Sequence, residues 1–304
     1  MPCFNHGEFL QESILSVLGQ EHGDLELIVV DDCSTDSSPE IAAECARADR
    51  RVRVITQTKN QGLSRARNAA MKIARGDLIA FCDSDDVWEP SKLKIQLALA
   101  NCYAECDLVY SDALIIDGNG KSDGRRFSQE FPLPKLPSGL LFYELILRNF
   151  INIQTVLVRK VCLEEAGGFD ERIELVQDWL MWVRLSRQHA FTYCEEPLAR
   201  YRVHARSTNI VQKRQYAQNR FKVFRRILAG YDDLSEAARS EILYKMSADL
   251  LSLGRIKLGR RVLFEASCRA GCTTLAARHF CAGLLRLFRA ANSRLAGQVA
   301  RRSR

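Results

Sequence analysis

The first third of the chain alternates short apolar runs with amphipathic stretches. Gly7 to Gln20 places Phe9, Leu10, Ile14, Val17 and Leu18 on one face, the spacing of a helix with one buried side. Leu25 to Val30, broken only by Glu26, reads as a buried strand, and it runs into Asp31-Asp32-Cys33-Ser34-Thr35-Asp36-Ser37. A helix follows from near Pro39 through Ala48, with Ser38 or a neighbour as cap and proline in its first turn. Val52 to Thr56 is a short strand, Asn60-Gln61-Gly62 a turn, and Ser64 to Ala74 a helix that stops before Gly76. Leu78 to Cys82 is again apolar and ends abruptly in Asp83-Ser84-Asp85-Asp86. Ahead of the first helix, Met1 to Asn5 offers no recognisable strand.

Strand, helix, strand, helix, strand at this spacing predicts parallel βαβ units in a doubly wound sheet. Such sheets bind ligands beyond the carboxyl ends of their strands, and both acidic clusters fall there. Three carboxylates within four residues repel one another unless something positive sits among them. Hard oxygen donors at that density suit Mg²⁺ or Mn²⁺, with water and substrate phosphates filling the remaining positions. A solvated or helix-capping acidic loop is the plainer alternative. The chain has no GxGxxG after its first strand, no GxxxxGK[ST] and no GxSxG. These absences argue against a dinucleotide site, a P-loop and a nucleophile elbow.

Several segments, in order, resemble glycosyltransferase family 2, the inverting nucleotide-sugar transferases. Pro2-Cys3-Phe4-Asn5 is similar to the end of the family's first strand, and Val30-Asp31-Asp32-Cys33-Ser34-Thr35-Asp36 to its DDxSxD turn. Asn60-Gln61-Gly62-Leu63-Ser64-Arg65-Ala66-Arg67-Asn68 resembles NxGxSxARN, and Asp83-Ser84-Asp85-Asp86 the DxD region. Gly167-Gly168-Phe169-Asp170 and Gln177-Asp178-Trp179 resemble the segment ending in the ED motif, with Gln177 where the family usually has Glu. Tyr201-Arg202-Val203-His204 is similar to a YRxH segment.

The resemblance implies a GT-A fold: an α/β, Rossmann-like nucleotide-binding sheet with helices on both faces. It covers residues 1–209, with a nucleotide-binding half over 1–112, an acceptor half over 113–209 and a first strand that looks truncated. It implies that Pro2, Phe4, Asp31, Asp32, Asn60, Gly62, Arg65, Asp83, Ser84 and Asp85 line the nucleotide-sugar pocket. Asp85, Asp86 and His204 would hold the Mg²⁺ or Mn²⁺, and Asp178 would be the general base on the acceptor hydroxyl. Arg65 and Arg67 stand two apart on a helix, so only one of them can face the diphosphate or base. Asp178 also suits an N-cap for a helix over Trp179–Arg187, and Arg202 suits a pair with an acid.

The activity so implied is transfer of a sugar from a nucleotide diphosphate donor, a UDP-sugar in the family's common pattern, to a glycan or glycolipid hydroxyl in polysaccharide or glycolipid assembly. A sugar nucleotidyltransferase and a non-catalytic nucleotide-sugar-binding scaffold remain the alternatives. Asp117-Gly118-Asn119-Gly120 signals a hairpin, and Pro132, Pro134 and Pro137 a loop over the site, where acceptor selectivity would reside.

Charge adds a second region. Residues 205–304 hold 21 Lys and Arg against 6 Asp and Glu, whereas the remainder holds 23 against 31. The basic segment 210–304 is helical in pattern throughout. Phe221, Phe224, Ile227 and Leu228 lie beside Arg225 and Arg226, and Leu275 to Val299 interleaves leucines with Arg286, Arg289 and Arg294. Such helices suit an anionic membrane surface or a solvated appendix; sparse aromatics and the lack of a binding module disfavour nucleic acid. Eleven cysteines, an odd number with no CxxC pair and no nearby histidine at zinc-site spacing, read as reduced and mostly buried. With no signal-peptide pattern and no run of 18 apolar residues, a cytoplasmic location, peripheral at the inner face of the membrane, is expected.

Overall fold

The computed structural model describes residues 1–102, 106–131, 136–207 and 213–269. Three short strands, β1 (Pro2–Cys3), β2 (Leu27–Asp31) and β3 (Val52–Thr56), form a parallel sheet in that order. β1 corrects the expectation of no strand before the first helix: Pro2 pairs with Val30 and Cys3 with Asp31. Helix α1 (Gly7–Leu18) and helix α2 (Ser38–Ala48) follow β1 and β2. Leu10, Ile14 and Val17 of α1 share one core with Val29, Ala42 and Val52, so the periodicity read from the sequence becomes the buried face. Helix α3 (Leu63–Ile73) sets Ala66 against Ile28 and Val30 on β2.

The next strands form a second sheet rather than continuing the first. β4 (Leu78–Ala80) pairs antiparallel with β8 (Leu157–Arg159), which pairs with β6 (Cys106–Asp117). β6 runs parallel to the long β9 (Ala190–Val203), and β5 (Val87–Trp88) completes that path against β9. The sequence places the Leu78 strand in the same parallel sheet as β2 and β3. The physical reason for the difference is the shortness of β1, whose pairing reaches only the last residues of β2. Leu27 and Ile28 on one side and Leu78 and Ala80 on the other therefore face a cavity of about 590 Å³.

β6 and β7 (Ser122–Arg126) make the expected hairpin, with Gly120 at φ 79° in its turn. Because β6 is one continuous strand across residue 112, the division into halves at 112/113 falls inside an element and does not separate two bodies. Helices α4 (Lys92–Cys102), α5 (Phe142–Leu145), α6 (Lys160–Glu165) and α7 (Gln177–Leu185) complete this part.

Two compact units emerge, Met1–Ile227 and Leu228–Arg304, so the boundary lies later than the expected 209/210. The reason is helix α8 (Lys213–Gly230), whose earlier turns are bound to the first unit. Asn219 accepts a hydrogen bond from the Glu174 N–H, Arg226 pairs with Asp170, and the Phe224 ring packs 5.0 Å from Trp179. The second unit is described through α9 (Glu236–Ser252), capped by the Ser235 hydroxyl, and α10 (Ile256–Arg269). These two helices meet where Gly259 packs against Leu251 and where the Ser240 hydroxyl donates to the Ala266 carbonyl. Pro132, Pro134 and the Leu275–Val299 segment lie outside the described residues.

Candidate active site

Each carboxylate of the Asp31–Asp36 turn has its own task. Asp32 is buried and accepts the N–H groups of Gln61 and Gly62, both at 2.7 Å. It thereby anchors the turn that starts α3, where Gly62 sits at φ 87°, a conformation that favours glycine. Asp36 accepts from Gly7 N–H at 2.9 Å and Ser38 N–H at 3.0 Å, tying the starts of α1 and α2 together. Asp31 is 1% exposed; Oδ2 accepts from Ser34 N–H, while Oδ1 has no hydrogen-bond partner among the described residues. A buried carboxylate oxygen left so is costly unless a donor arrives. Of the two adjacent acids expected to line the nucleotide-sugar pocket, Asp31 has the available acceptor. Cys33 makes the turn by adopting φ 64°.

The second acidic cluster is also divided. Asp83 accepts from the Arg67 guanidinium at 2.6 Å, and Arg67 is 3% exposed. Its Nε and Nη1 have no hydrogen-bond acceptor among the described residues. Asp86 is turned inward, where Oδ1 accepts the Arg202 backbone N–H at 2.6 Å. Burial, and then Asp85 and Asp83 beside it, push its carboxyl well above the ordinary value. Asp85 faces the other way. Its Oδ2 lies 3.2 Å from His204 Nε2 and its Oδ1 3.9 Å from His6 Nδ1. His6, Asp85 and His204 each offer a donor atom within 4.8 Å of the others.

Two of the three metal ligands expected from sequence, Asp85 and His204, therefore come together. Asp86 is not in that group because its carboxylate is spent on β9, and His6 takes its place. One carboxylate and two imidazoles fit Mn²⁺ and other first-row divalent ions better than Mg²⁺, which prefers an all-oxygen shell. Sequence reasoning missed His6 because a lone histidine at a helix start carries no spacing signal. Ser84 is buried, with its hydroxyl 2.8 Å from His6 Nδ1, the nitrogen that also faces Asp85, so an ion taken at that nitrogen would displace this contact.

Arg202 fixes the loop that carries Asp85. Its side chain is 2% exposed; Nε donates to the Asp85 carbonyl at 2.7 Å and Nη2 to Glu12 at 2.6 Å. Its guanidinium also lies over the Phe9 ring, 4.9 Å from the centroid.

The other sequence candidates are placed as follows. Pro2 is buried in β1, Phe4 is 43% exposed, and Asn60 is exposed beside the Gly62 turn. Arg65 pairs on the surface with Glu171 at 2.8 Å, both side chains about half exposed. Of the two arginines on α3, it is Arg67 that joins the acids. The rest of the Asn60–Asn68 motif binds the 167–173 loop. Asn68 clamps Phe169 by both its backbone groups, accepting from the N–H at 2.9 Å and donating to the carbonyl at 3.0 Å. Ser64 donates to the Ile173 carbonyl at 2.9 Å. Gly168, at φ 73°, must be glycine here, because a Cβ would meet Asn68 Oδ1 at 2.9 Å.

That loop leads to Asp178, in the first turn of α7. The position before the helix is Val176, not Asp178, and Val176 takes φ 55°, strained for a β-branched residue. Asp178 accepts from Asn149 Nδ2 at 3.0 Å. Desolvation raises its carboxyl above the ordinary value, opposed by Arg67 and Asn149 and helped by Asp83. Arg67, Asp83 and Asp178 are thus electrostatic neighbours. Beside them the Gln177 side chain is buried, with no partner for Oε1 among the described residues.

Comparison with known proteins identifies a family and a fold. The model of the family described as Glycosyl transferase family 2 matches residues 1–152. A Bacillus subtilis protein named putative teichuronic acid biosynthesis glycosyltransferase TuaG is 30% identical over 207 residues, covering 66% of this chain and 77% of its own. The succinoglycan biosynthesis protein ExoO of Rhizobium meliloti is 32% identical over 188 residues, 59% of this chain and 52% of its own. Among solved structures, S. aureus TarS 1-349 in complex with UDP-GlcNAc superposes with a TM-score of 0.62 at 22% identity, over 87% of this chain and 77% of that one. The Pyrobaculum calidifontis mannosyltransferase PcManGT in complex with GDP-Man and Mn²⁺ gives 0.61 at 17% identity, over 94% and 79%. At these identities the structural likeness speaks for the fold, which is GT-A.

Proposed function

We propose that this chain, which belongs to glycosyl transferase family 2, moves a sugar with inversion from a UDP-sugar to a hydroxyl of a growing glycan or glycolipid. The observation that carries the reading is the division of roles among the acids of the two strand-end clusters and of the first turn of α7. Asp31 keeps an unpaired acceptor, Asp85 stands with two histidines, and Asp178 lies by Arg67. Asp31 Oδ1 is an acceptor for an N–H of the base, as uracil offers. Asp85, His204 and His6 would hold the divalent ion. When bound, that ion supplies positive charge against the leaving diphosphate. The unpaired Nε and Nη1 of Arg67 are donors for the same oxygens.

Asp178 accepts the proton of the acceptor hydroxyl as its oxygen attacks the anomeric carbon opposite the diphosphate, and inversion follows from that geometry. Its raised pKa makes it a stronger base than an ordinary aspartate. UDP rather than GDP is favoured by analogy with the TarS complexes with UDP and UDP-GlcNAc, and a metal by the Mn²⁺ of the mannosyltransferase. Polysaccharide assembly as the setting follows the names of the teichuronic acid and succinoglycan relatives.

A peripheral membrane contact fits the second unit. α10 exposes Ile256, Leu258 and Phe264 and carries Lys257, Arg260 and Arg261. Among the described residues no helix is long and apolar enough to cross a membrane.

The test is calorimetric titration with UDP and GDP, each with Mn²⁺ and with EDTA. Binding of UDP that requires Mn²⁺ and disappears in Asp85→Ala is expected. Equal binding with EDTA, or in Asp85→Ala, overturns the metal assignment; preference for GDP overturns the choice of base.

A further inference from the structure

A second cluster of metal-binding side chains lies away from the candidate active site. It comprises Asp107 near the start of β6, Cys162 on α6 and His189, the residue before β9. One ligand atom from each lies within 4.8 Å of the other two. His189 Nδ1 is 2.9 Å from Asp107 Oδ2, and His189 Nε2 is 3.7 Å from Glu165 Oε2. His189 and His204 flank the two ends of β9. Fourteen residues of strand separate them by something on the order of 40 Å, so this cluster is no part of the donor site.

We propose that Asp107, Cys162 and His189 form a second site, one that binds a zinc-class divalent ion and clamps α6 to the ends of β6 and β9. Tetrahedral coordination at zinc's usual bond lengths sets ligand atoms roughly 3.3–3.8 Å apart. The cluster is within small side-chain rotations of that figure. A sulfur, a nitrogen and an oxygen donor together select a borderline-soft ion over Mg²⁺ or Ca²⁺. Glu165 behind His189 repeats the carboxylate–histidine–metal relay that fixes a ligating ring. A water, or Glu165 after a rotation, completes four ligands.

The neighbouring charges are compatible. Arg159 lies 3.7 Å from Asp107 Oδ1, on the oxygen that does not face His189. Cys162 is 2% exposed, and burial first, then Asp107 and Glu165, push its thiol up to about 11. It is a thiol in the metal-free protein, so binding breaks the S–H bond, forms an S–metal bond and releases one proton to solvent. The sequence hid this site because its ligands are 55 and 27 residues apart, outside the short spacings of structural zinc motifs.

The experiment uses the full chain carrying Asp85→Ala, which removes the donor-site ligand, titrated with Co²⁺ and then with Zn²⁺. One equivalent of Co²⁺ should bind with a near-ultraviolet thiolate charge-transfer band, and Zn²⁺ should displace it. Cys162→Ser should abolish the band, His189→Gln should weaken binding at least tenfold, and Glu165→Gln should weaken it less. Absence of the band in the parent, or its persistence in Cys162→Ser, overturns the proposal. If Cys162→Ser fails to fold, Asp107→Asn and His189→Gln decide: unchanged Co²⁺ affinity in both overturns it.

Discussion

Arg202→Lys isolates the device that holds the Asp85 loop. Lysine keeps the positive charge but replaces a planar fork by one point donor. The native guanidinium reaches the Asp85 carbonyl at 2.7 Å, Glu12 at 2.6 Å, and the Asp117 and Gly118 carbonyls at 3.4 and 3.3 Å. An ammonium can serve one of these directions, leaving at least two acceptors without a donor. The guanidinium is itself 2% exposed, but water reaches the Glu12 carboxylate, whose side chain is 55% exposed, so the cost falls on the backbone carbonyls. A backbone carbonyl left without its donor costs about 1–3 kcal/mol, so the half-buried carbonyls together with lost stacking on Phe9 amount to about 3 kcal/mol at most. For a unit of this size that corresponds to a fall of about 10 °C in the main thermal transition. Scanning calorimetry and urea unfolding measure it. Mn²⁺ titration of the same variant should show weaker binding, since Asp85 loses its backbone tether. An Arg202→Lys protein within about 1 kcal/mol of the parent, binding Mn²⁺ equally well, would refute this account of the loop.

Asp178→Asn should lower kcat by about 10²–10⁴-fold while UDP affinity, measured by calorimetry, stays unchanged. Because the Asp178 pKa is raised, the active ionised form is lost as pH falls through a value above the ordinary 3.8, and the acid limb of the parent's kcat profile should lie there. Asp86→Asn keeps an acceptor for the Arg202 N–H, so Mn²⁺ binding should survive it and vanish in Asp85→Ala; the reverse result would return Asp86 to the metal. Asp170, held down to about 2 chiefly by the Arg172 hydrogen bond, contributes stability that is present above about pH 4 and lost as pH falls toward 2. The ceiling is about 2 kcal/mol, lowered by solvent because Arg172 is 72% exposed. Urea unfolding of parent and Asp170→Asn at pH 6 and pH 3 should show the difference between them shrinking at the lower pH.

Apart from the two-residue β1, the helices and strands through Thr56 are legible because one-sided burial writes a period into the sequence. The placement of β4 was not, since an apolar run of three to five residues says nothing about its partner. The motifs pointed to the right loops but not to the division of labour within them. Asp31 and Asp32 are adjacent and chemically identical; only the fold gives one to the Gly62 turn and leaves the other an open acceptor. Asp85 and Asp86 differ in the same way, because neighbouring residues at a strand end point in opposite directions. Arg65 and Arg67 were correctly seen to diverge, but which one turned inward depended on Asp83 and Phe169. His6 and the Asp107, Cys162 and His189 cluster carried no local pattern, since their partners meet only across the sheet.

The clamp of Asn68 on Phe169 bears on how this chain can be recombined with its relatives. Exchanging acceptor halves at a cut anywhere between α3 and the 167–173 loop separates Asn68, Ser64 and Arg65 from the backbone and acid they grip. A hybrid of that kind would inherit Asp178 on α7 hung from a mismatched hinge. The portable module is therefore discontinuous in sequence: the side of α3 that faces the 167–173 loop must travel with the loop it holds.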